Sequence, residues 1–239
     1  MTTEWVSLYG QQVLRDTAKT WRWFDAIGPD VTEWVLDPND VPLTATNAIS
    51  GYALQAIGTS PVSFVAGADG GAVLFTTGSA GTDGVQIQCV TEGFYLASKW
   101  PCYWGCRVKI NDADKTALFA GLGITDTTSH PANSDNISFR SAADSATLTF
   151  HVEKNDLETA QAVGTLTDAL YVDVEWFYDG DKVTAYVNGA EVGSVSDASS
   201  TFPNDEYLTP TLAVLAGEAD ANTLTIQWAR AIQIRQTIA

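Results

Sequence analysis

The sequence predicts an all-β protein, an antiparallel β-sandwich preceded by an N-terminal arm. Apolar and polar residues alternate with period two in many short segments, which is typical of strands with one buried and one solvated face. Gly, Ser, Thr, Asn and Asp interrupt these segments at short intervals, as turns require. Hydrophobic residues make up 45% of the chain and charged residues only 17%, so the chain can bury a large core.

The N-terminal arm comprises residues 1–61 and differs from the rest of the chain. Its first apolar residues have a loose helical spacing that Gly28-Pro29 ends, so we expect some helix there. It also carries four of the eight tryptophans. So apolar a segment must be buried, either on its own sandwich or on a partner subunit, and both interpretations stay open. The residues predicted to contact a partner are Trp5, Trp21, Trp23, Phe24 and Trp34.

The sandwich is predicted to span residues 62–239. Alternation places Leu224, Ile226 and Trp228 on the buried face of its last strand, and it places Thr149 and His151 on the polar face of an earlier one. The predicted strands are 73–76, 85–90, 103–110, 118–124, 137–140, 147–153, 171–178, 182–187, 208–215 and 223–235.

Two tight turns are predicted in the second half of the chain. Asp179-Gly180 and Asn188-Gly189 each lie between alternating runs, and each supplies the positive φ angles that a short hairpin needs. Residues 171–195 are therefore predicted to form a three-stranded meander.

The same region carries a resemblance to a known fold family. Residues 174–193 (VEWFYDGDKVTAYVNGAEVG) resemble the back hairpin of laminin-G-like and concanavalin A-like jelly rolls, in which a strand ending in Asp-Gly is followed by a short strand ending in Asn-Gly. The resemblance implies that the sandwich is a jelly roll of this type.

A second resemblance concerns three blocks upstream of that hairpin. Residues 107–114 (RVKINDAD), residues 119–128 (FAGLGITDTT) and the preceding strand at 85–88 (VQIQ) are similar to blocks of tailed-bacteriophage virion structural proteins. Residues 69–71 (DGG) and 74–76 (LFT) also fit the start of this pattern, and together with the hairpin the blocks cover roughly residues 62–235.

The second resemblance implies a function without chemistry. Such proteins are generally capsid decoration (cement) proteins, so we expect a non-enzymatic protein that binds the outer surface of the assembled head and stabilises it. The major capsid protein would be its partner, a trimer its assembly, and the virion surface its location. The tryptophan-rich residues 1–40 would make the contact. Deleting them would abolish capsid binding and leave a folded sandwich.

Charge and composition exclude several other classes. The net charge of −17 disfavours binding to nucleic acid, and no apolar run approaches the roughly 18 residues of a membrane span. The first residues lack the basic and apolar regions of a secretory signal, so we expect assembly in the host cytoplasm. The three cysteines are predicted to be free thiols. No cofactor or metal is predicted, although structural calcium stays open at residues 111–114 and 133–136.

A glycan-binding, lectin-like virion module, on a capsid or a tail, is the first alternative. It would use aromatic rings and carboxylates exposed on one sheet face. The residues that fit are Tyr171, Asp173, Glu175 and Phe177.

A glycoside hydrolase built on Asp173 and Glu175 is the lesser alternative. Hydrolysis needs two carboxylates that flank the glycosidic bond, and positions i and i+2 of a strand lie roughly 6.5–7 Å apart at Cα. The sandwich glucanases, however, alternate three acids as Glu-x-Asp-x-Glu or a close variant. Here the face runs Tyr171, Asp173, Glu175, Phe177, so the third acid is missing. We therefore expect both acids to be solvated strand carboxylates.

Overall fold

The chain is described by a computed structural model over residues 2–38, 52–58, 60, 65–67, 71–97, 99–126 and 133–235. These residues form strands and no helix, so none of them could cross a membrane as a helix. The strands are β1 Thr3–Leu8, β2 Gln11–Asp16, β3 Trp23–Ile27, β4 Val31–Leu36, β5 Tyr52–Ile57, β6 Val65–Gly67, β7 Ala72–Thr76, β8 Gly84–Cys89, β9 Phe94–Tyr95, β10 Cys102–Ile110, β11 Thr116–Gly123, β12 Asn136–Ser141, β13 Thr147–Lys154, β14 Leu157–Thr165, β15 Val172–Tyr178, β16 Lys182–Val187, β17 Ala190–Ser196, β18 Tyr207–Ala216 and β19 Thr223–Ile234.

Two antiparallel sheets form the sandwich. Sheet 1 has the order β17-β16-β15-β10-β19-β7-β6, and β4 also pairs with β19. Sheet 2 has the order β14-β13-β12-β11-β18-β8-β5, and β9 pairs with β18. The predicted antiparallel β-sandwich is therefore confirmed.

The core lies between the two sheets and contains aromatic side chains from both. Trp104 of β10 stacks on Trp176 of β15 with 6.4 Å between ring centroids, and it also packs against Phe139 of β12. All three side chains are buried, as alternation along their strands requires.

The predicted meander is present as β15, β16 and β17. Gly180 has a φ of +103° in the first turn, and Asn188 and Gly189 have φ values of 49° and 77° in the second. These are the left-handed conformations that Asn and Gly adopt at little cost.

The prediction of helix in the N-terminal segment is wrong. Tyr9 and Gly10 have positive φ and join β1 to β2 as a hairpin, and β3 pairs with the other edge of β2. We call β1-β2-β3 the N-terminal sheet. The next two strands belong to the sandwich, because β4 pairs with β19 and β5 with β8. Strands from both sides of the predicted boundary at residues 61 and 62 therefore share the same sheets.

The N-terminal sheet packs on the outer face of sheet 1. Trp23 meets Phe177 edge-on at 5.2 Å, and Trp21 stacks on Tyr186 with 3.6 Å between the ring centroids. A second apolar cluster fills this interface. It contains Val13, Trp23 and Ala26 of the N-terminal sheet, and Tyr103, Ile232 and Ile234 of sheet 1. The tryptophan-rich segment therefore packs on its own sandwich, which is one of the two interpretations left open above.

Candidate functional site

Glu175 lies beneath the N-terminal sheet and is fully buried. Its carboxylate accepts hydrogen bonds from Arg22 Nη2 and, at 2.8 Å, from the hydroxyl of Tyr103. Burial raises the pKa of Glu175, and the two donors act in the opposite direction. The prediction of a solvated carboxylate is therefore wrong for Glu175. A substrate could not reach it, so Asp173 and Glu175 do not form an accessible hydrolytic pair.

The N-terminal sheet also covers part of the predicted glycan-binding face, so its four residues do not form one exposed surface. Phe177 contacts Trp23, whereas Tyr171 is half-buried beside Arg107 and Lys109, whose charged groups are 5.2 and 4.6 Å from its ring centroid. Asp173 is partly exposed and lies 3.7 Å from both Arg22 and Arg107.

The aromatic residues predicted to contact a partner occupy different environments. Trp23 and Trp34 are buried, the second of them in the core between the sheets, and Trp21 stacks on the sandwich. Trp5 is 49% exposed on β1, and Phe24 lines a pocket beside sheet 1. Most of this set is thus used to fold the chain.

A polar cleft of about 510 Å³ lies on the outer face of sheet 2, over β12, β13 and β14. The alternation of β13 builds its floor, because Leu148, Phe150 and Val152 point into the core and the residues between them point outward. The prediction that Thr149 and His151 share this polar face is confirmed. The cleft is lined by Arg140, Ser141, Ala142, Ser145, Thr147, Thr149, His151, Glu153, Asp156 and Glu158.

Glu153 is held in the cleft by neighbours on β12. Its Oε2 accepts hydrogen bonds from Arg140 Nη2 at 2.9 Å and from Asn136 Nδ2 at 2.8 Å. Arg140 Nε donates to Ser138 Oγ at 3.1 Å, and its guanidinium lies 5.1 Å from the ring centroid of Phe119. Oε1 of Glu153 is the oxygen left for a ligand.

His151 and Glu158 share a proton in the same cleft. His151 Nδ1 lies 3.0 Å from Glu158 Oε2, and His151 Nε2 lies 2.8 Å from Thr149 Oγ1. Because a carboxylate oxygen only accepts, a proton must lie between Nδ1 and Oε2, on either atom. Burial, and then the charge of Arg140, lower the pKa of His151.

This lowered pKa predicts a loss of stability in acid. At a pH below the ordinary histidine pKa of about 6.5, His151 binds a proton more readily in the unfolded chain than in the folded chain. We expect the free energy of unfolding to fall as the pH drops from 6.5, and His151→Gln to remove part of that fall. Urea titrations between pH 7 and pH 5 measure it, with His130→Gln, outside the described residues, as the control. An identical pH dependence in wild type and His151→Gln would contradict the prediction.

Glu153 and Glu158 are direct partners across two strands. The β13–β14 register pairs Glu153 with Glu158, and both carboxylates line the cleft. The turn between the strands is Asn155-Asp156, with φ values of 50° and 64°. This pair was not predicted from the sequence because β14 was not predicted. The available signal was the Asn-Asp turn between two runs of strand-forming residues.

The two loops considered for calcium make other contacts. Asn111 Oδ1 accepts a hydrogen bond from the Thr223 amide, and Asn133 Nδ2 donates one to the carbonyl of Ile124. Within the described parts of the chain, no three His, Cys, Asp or Glu side chains converge as metal ligands. Cys89, Cys102 and Cys106 are free thiols, as predicted.

Comparisons with known proteins identify the fold. No family model and no curated protein match the chain. Among solved structures, it is similar to a β-1,3-glucanase from Mycobacterium marinum, with 15% identity, TM-score 0.58, and coverage of 85% of this chain and 99% of the other. An endo-1,3-β-glucanase from Streptomyces sioyaensis matches with 11% identity, TM-score 0.60, and coverage of 89% and 100%. The carbohydrate recognition domain of Emp46p matches with 6% identity, TM-score 0.54, and coverage of 79% and 90%.

These likenesses are consistent with the predicted jelly roll of the concanavalin A-like type. Several of the solved structures with this fold are glucanases, so the prediction of a non-enzymatic capsid decoration protein is wrong. The assignment to a virion has no support among them. At these identities the shared property is the fold.

Proposed function

We propose that this chain binds a polysaccharide in the cleft over β12–β14 and hydrolyses a glycosidic bond there, with Glu153 and Glu158 as the two carboxylates. The observation that carries the proposal is their direct pairing across β13 and β14 within one open cleft. The names of the structural neighbours, two of them β-1,3-glucanases, agree with this class of substrate.

The spacing of the pair suits hydrolysis with retention of configuration. Side chains directly opposite each other on antiparallel strands have Cβ atoms about 4.5–5.5 Å apart and point to the same side. Two glutamate side chains that leave the sheet side by side can bring their carboxyl groups to the roughly 5–5.5 Å of retaining glycosidases, which is closer than the roughly 6.5–9.5 Å of inverting enzymes. We therefore expect retention.

The environments of the two carboxylates assign their roles. Arg140 and Asn136 hold Oε2 of Glu153, so Oε1 is positioned to attack the anomeric carbon. The proton shared by His151 and Glu158 goes to the departing oxygen as the glycosidic bond breaks. A water molecule, deprotonated by the same pair, then releases the sugar from Glu153.

This arrangement differs from that of the sandwich glucanases, in which three acids alternate along one strand. The outer face of β12 carries Asn136, Ser138 and Arg140 at alternating positions, and these residues act here as hydrogen-bonding partners. The acids come instead from β13 and β14. The catalytic residues proposed here are therefore specific to this chain, and none is carried over from the glucanases.

Soluble polysaccharides test the proposal. We expect wild type to release reducing ends from a β-1,3-glucan or a mixed β-1,3-1,4-glucan. Glu153→Gln and Glu158→Gln should each lower the rate by at least about 100-fold, the usual contribution of a positioned acid or base. Asp156→Asn is the matched control, because Asp156 lines the same cleft and carries the same chemical change.

Two further measurements, beside the release of reducing ends, decide the outcome. Affinity electrophoresis detects binding separately from cleavage, and NMR of the first product reports its anomeric configuration. Binding without release of reducing ends would overturn the hydrolytic step. Equal loss of activity in Asp156→Asn would remove the special role of the pair, and absence of both binding and cleavage would refute the whole proposal.

A further inference from the structure

A second pocket lies on the opposite face of the sandwich. It has a volume of about 410 Å³ and lies where the N-terminal sheet meets the outer face of sheet 1. The cleft of sheet 2 contributes no residue to it. The side chains that line it include Phe24, Arg107, Asp173, Gln227, Trp228 and Arg230.

An irregularity in β19 forms one wall of this pocket. Opposite Arg107 and Val108 the register shifts, so Trp228 pairs with Arg107 and Ile226 pairs with Val108. Ile226 and Ala229 both lie in the core, which leaves Gln227 and Trp228 to line the pocket side by side. A β-bulge redirects side chains in this way.

The polar groups of the pocket have unused hydrogen-bonding capacity. Arg107 Nη1 is 3.7 Å from Asp173 Oδ1, and Arg230 Nε is 4.0 Å from Glu33 Oε1, which is too far for a hydrogen bond. Nε of both arginines and Oδ1 of Asp173 are buried and have no hydrogen-bonding partner within the described segments. These three atoms have almost no accessible surface, but the side chains of Arg107, Asp173 and Arg230 are 42%, 21% and 26% exposed, so their other polar atoms can meet a ligand in the pocket.

We propose that this pocket binds one neutral sugar ring at the end of a glycan. The ring would stack on Trp228, which lines the pocket together with Phe24. Vicinal hydroxyls both donate and accept hydrogen bonds, so one ring can accept from Arg107 and Arg230 and donate to Asp173. A volume of about 410 Å³ is at the small end of ligand pockets, which suits one ring better than an extended chain.

The charges around the pocket favour a neutral ligand over an anion. Each guanidinium has a carboxylate within 4.0 Å: Glu175 beside Arg22, Asp173 beside Arg107 and Glu33 beside Arg230. Asp37 also lines the pocket. The local field therefore does not select for negative charge.

Binding of simple methyl glycosides to the intact protein tests this proposal. We expect saturation-transfer NMR to detect binding of at least one of methyl β-D-glucopyranoside, methyl β-D-galactopyranoside and methyl α-D-mannopyranoside, with quenching of tryptophan fluorescence. Trp228→Ala should weaken binding at least tenfold, and Gln227→Ala, a milder change in the same bulge, should weaken it to a smaller extent. Urea midpoints verify that both variants are folded.

A control variant separates the pocket from other exposed tryptophans. Trp5→Ala removes an exposed tryptophan elsewhere, so it should bind the glycosides as wild type does. Binding by Trp228→Ala equal to wild type, loss of binding in Trp5→Ala, preferential binding of sulfate, or no glycoside bound would each overturn the proposal. The cleft proposal is decided by its own activity assay, so either site can fail alone.

Discussion

Replacing Glu175 with Gln is expected to lower the free energy of unfolding by about 3–5 kcal/mol, the usual cost of removing one partner of a buried ion pair. Arg22 has a side chain only 8% exposed and would lose the carboxylate that compensates its charge. The hydroxyl of Tyr103, which is also buried, would lose the charged acceptor of its hydrogen bond. Urea unfolding at pH 7, followed by tryptophan fluorescence, measures the change.

Asp173→Asn is the matched control for this experiment. It makes the same chemical change two residues away on the same strand face, but Asp173 is partly exposed and its ion pairs are 3.7 Å long. We expect it to cost less than about 1 kcal/mol. A double variant, Arg22→Met with Glu175→Met, should cost less than the sum of the single changes. A Glu175→Gln protein as stable as Asp173→Asn would contradict a buried ion pair.

Removing residues 1–28 is expected to cost more than about 5 kcal/mol, which is comparable to the whole stability of many domains. The truncation would uncover Tyr103, Ile232 and Ile234, each now almost completely buried, and would leave Glu175 without Arg22. Burial of one large apolar side chain contributes about 1.5–3 kcal/mol. The expectation that the sandwich survives deletion of residues 1–40 therefore needs correction, because that deletion also removes β4.

Circular dichroism and size-exclusion chromatography of the chain starting at residue 29 measure this effect. We expect a shifted or absent thermal transition and self-association through the uncovered face. Trp5→Ala is the control within the N-terminal sheet, because its side chain is half exposed and its loss should change stability little. A truncated chain that unfolds at the wild-type urea concentration would show that the N-terminal sheet does not support sheet 1.

The sequence predicts those parts of the fold that depend on alternation within a strand and on the residues of a turn. Alternation fixes which face of a strand is apolar, and the predicted strands from residue 73 onward are all present as strands. The turns at Asp179-Gly180 and Asn188-Gly189 were predictable because their φ angles restrict the residues that fit. In the N-terminal segment, the apolar spacing suggested a helix, and the positive φ of Tyr9 and Gly10 made a hairpin instead.

The parts that depend on distant residues could not be predicted. Alternation placed Trp228 in the core, but the bulge opposite Arg107 turns it to the outer face. Alternation also placed Glu175 on the outer face correctly, without revealing that Arg22, far away in the chain, covers it. The pairing of Glu153 with Glu158 required the register of β14, a strand whose exposed residues give a weak pattern.

The position of β19 in sheet 1 has a consequence for the order of assembly. This last strand pairs with β4, β7 and β10, and it joins Ile234 to Val31. The pairing of β19 with β4 closes a loop almost as long as the chain, and the pairings with β7 and β10 also join distant segments, before any stabilisation is gained. During synthesis the middle of sheet 1 must therefore wait until residues 223–234 have left the ribosome, and until then the edges of β4, β7 and β10 are open to mispairing.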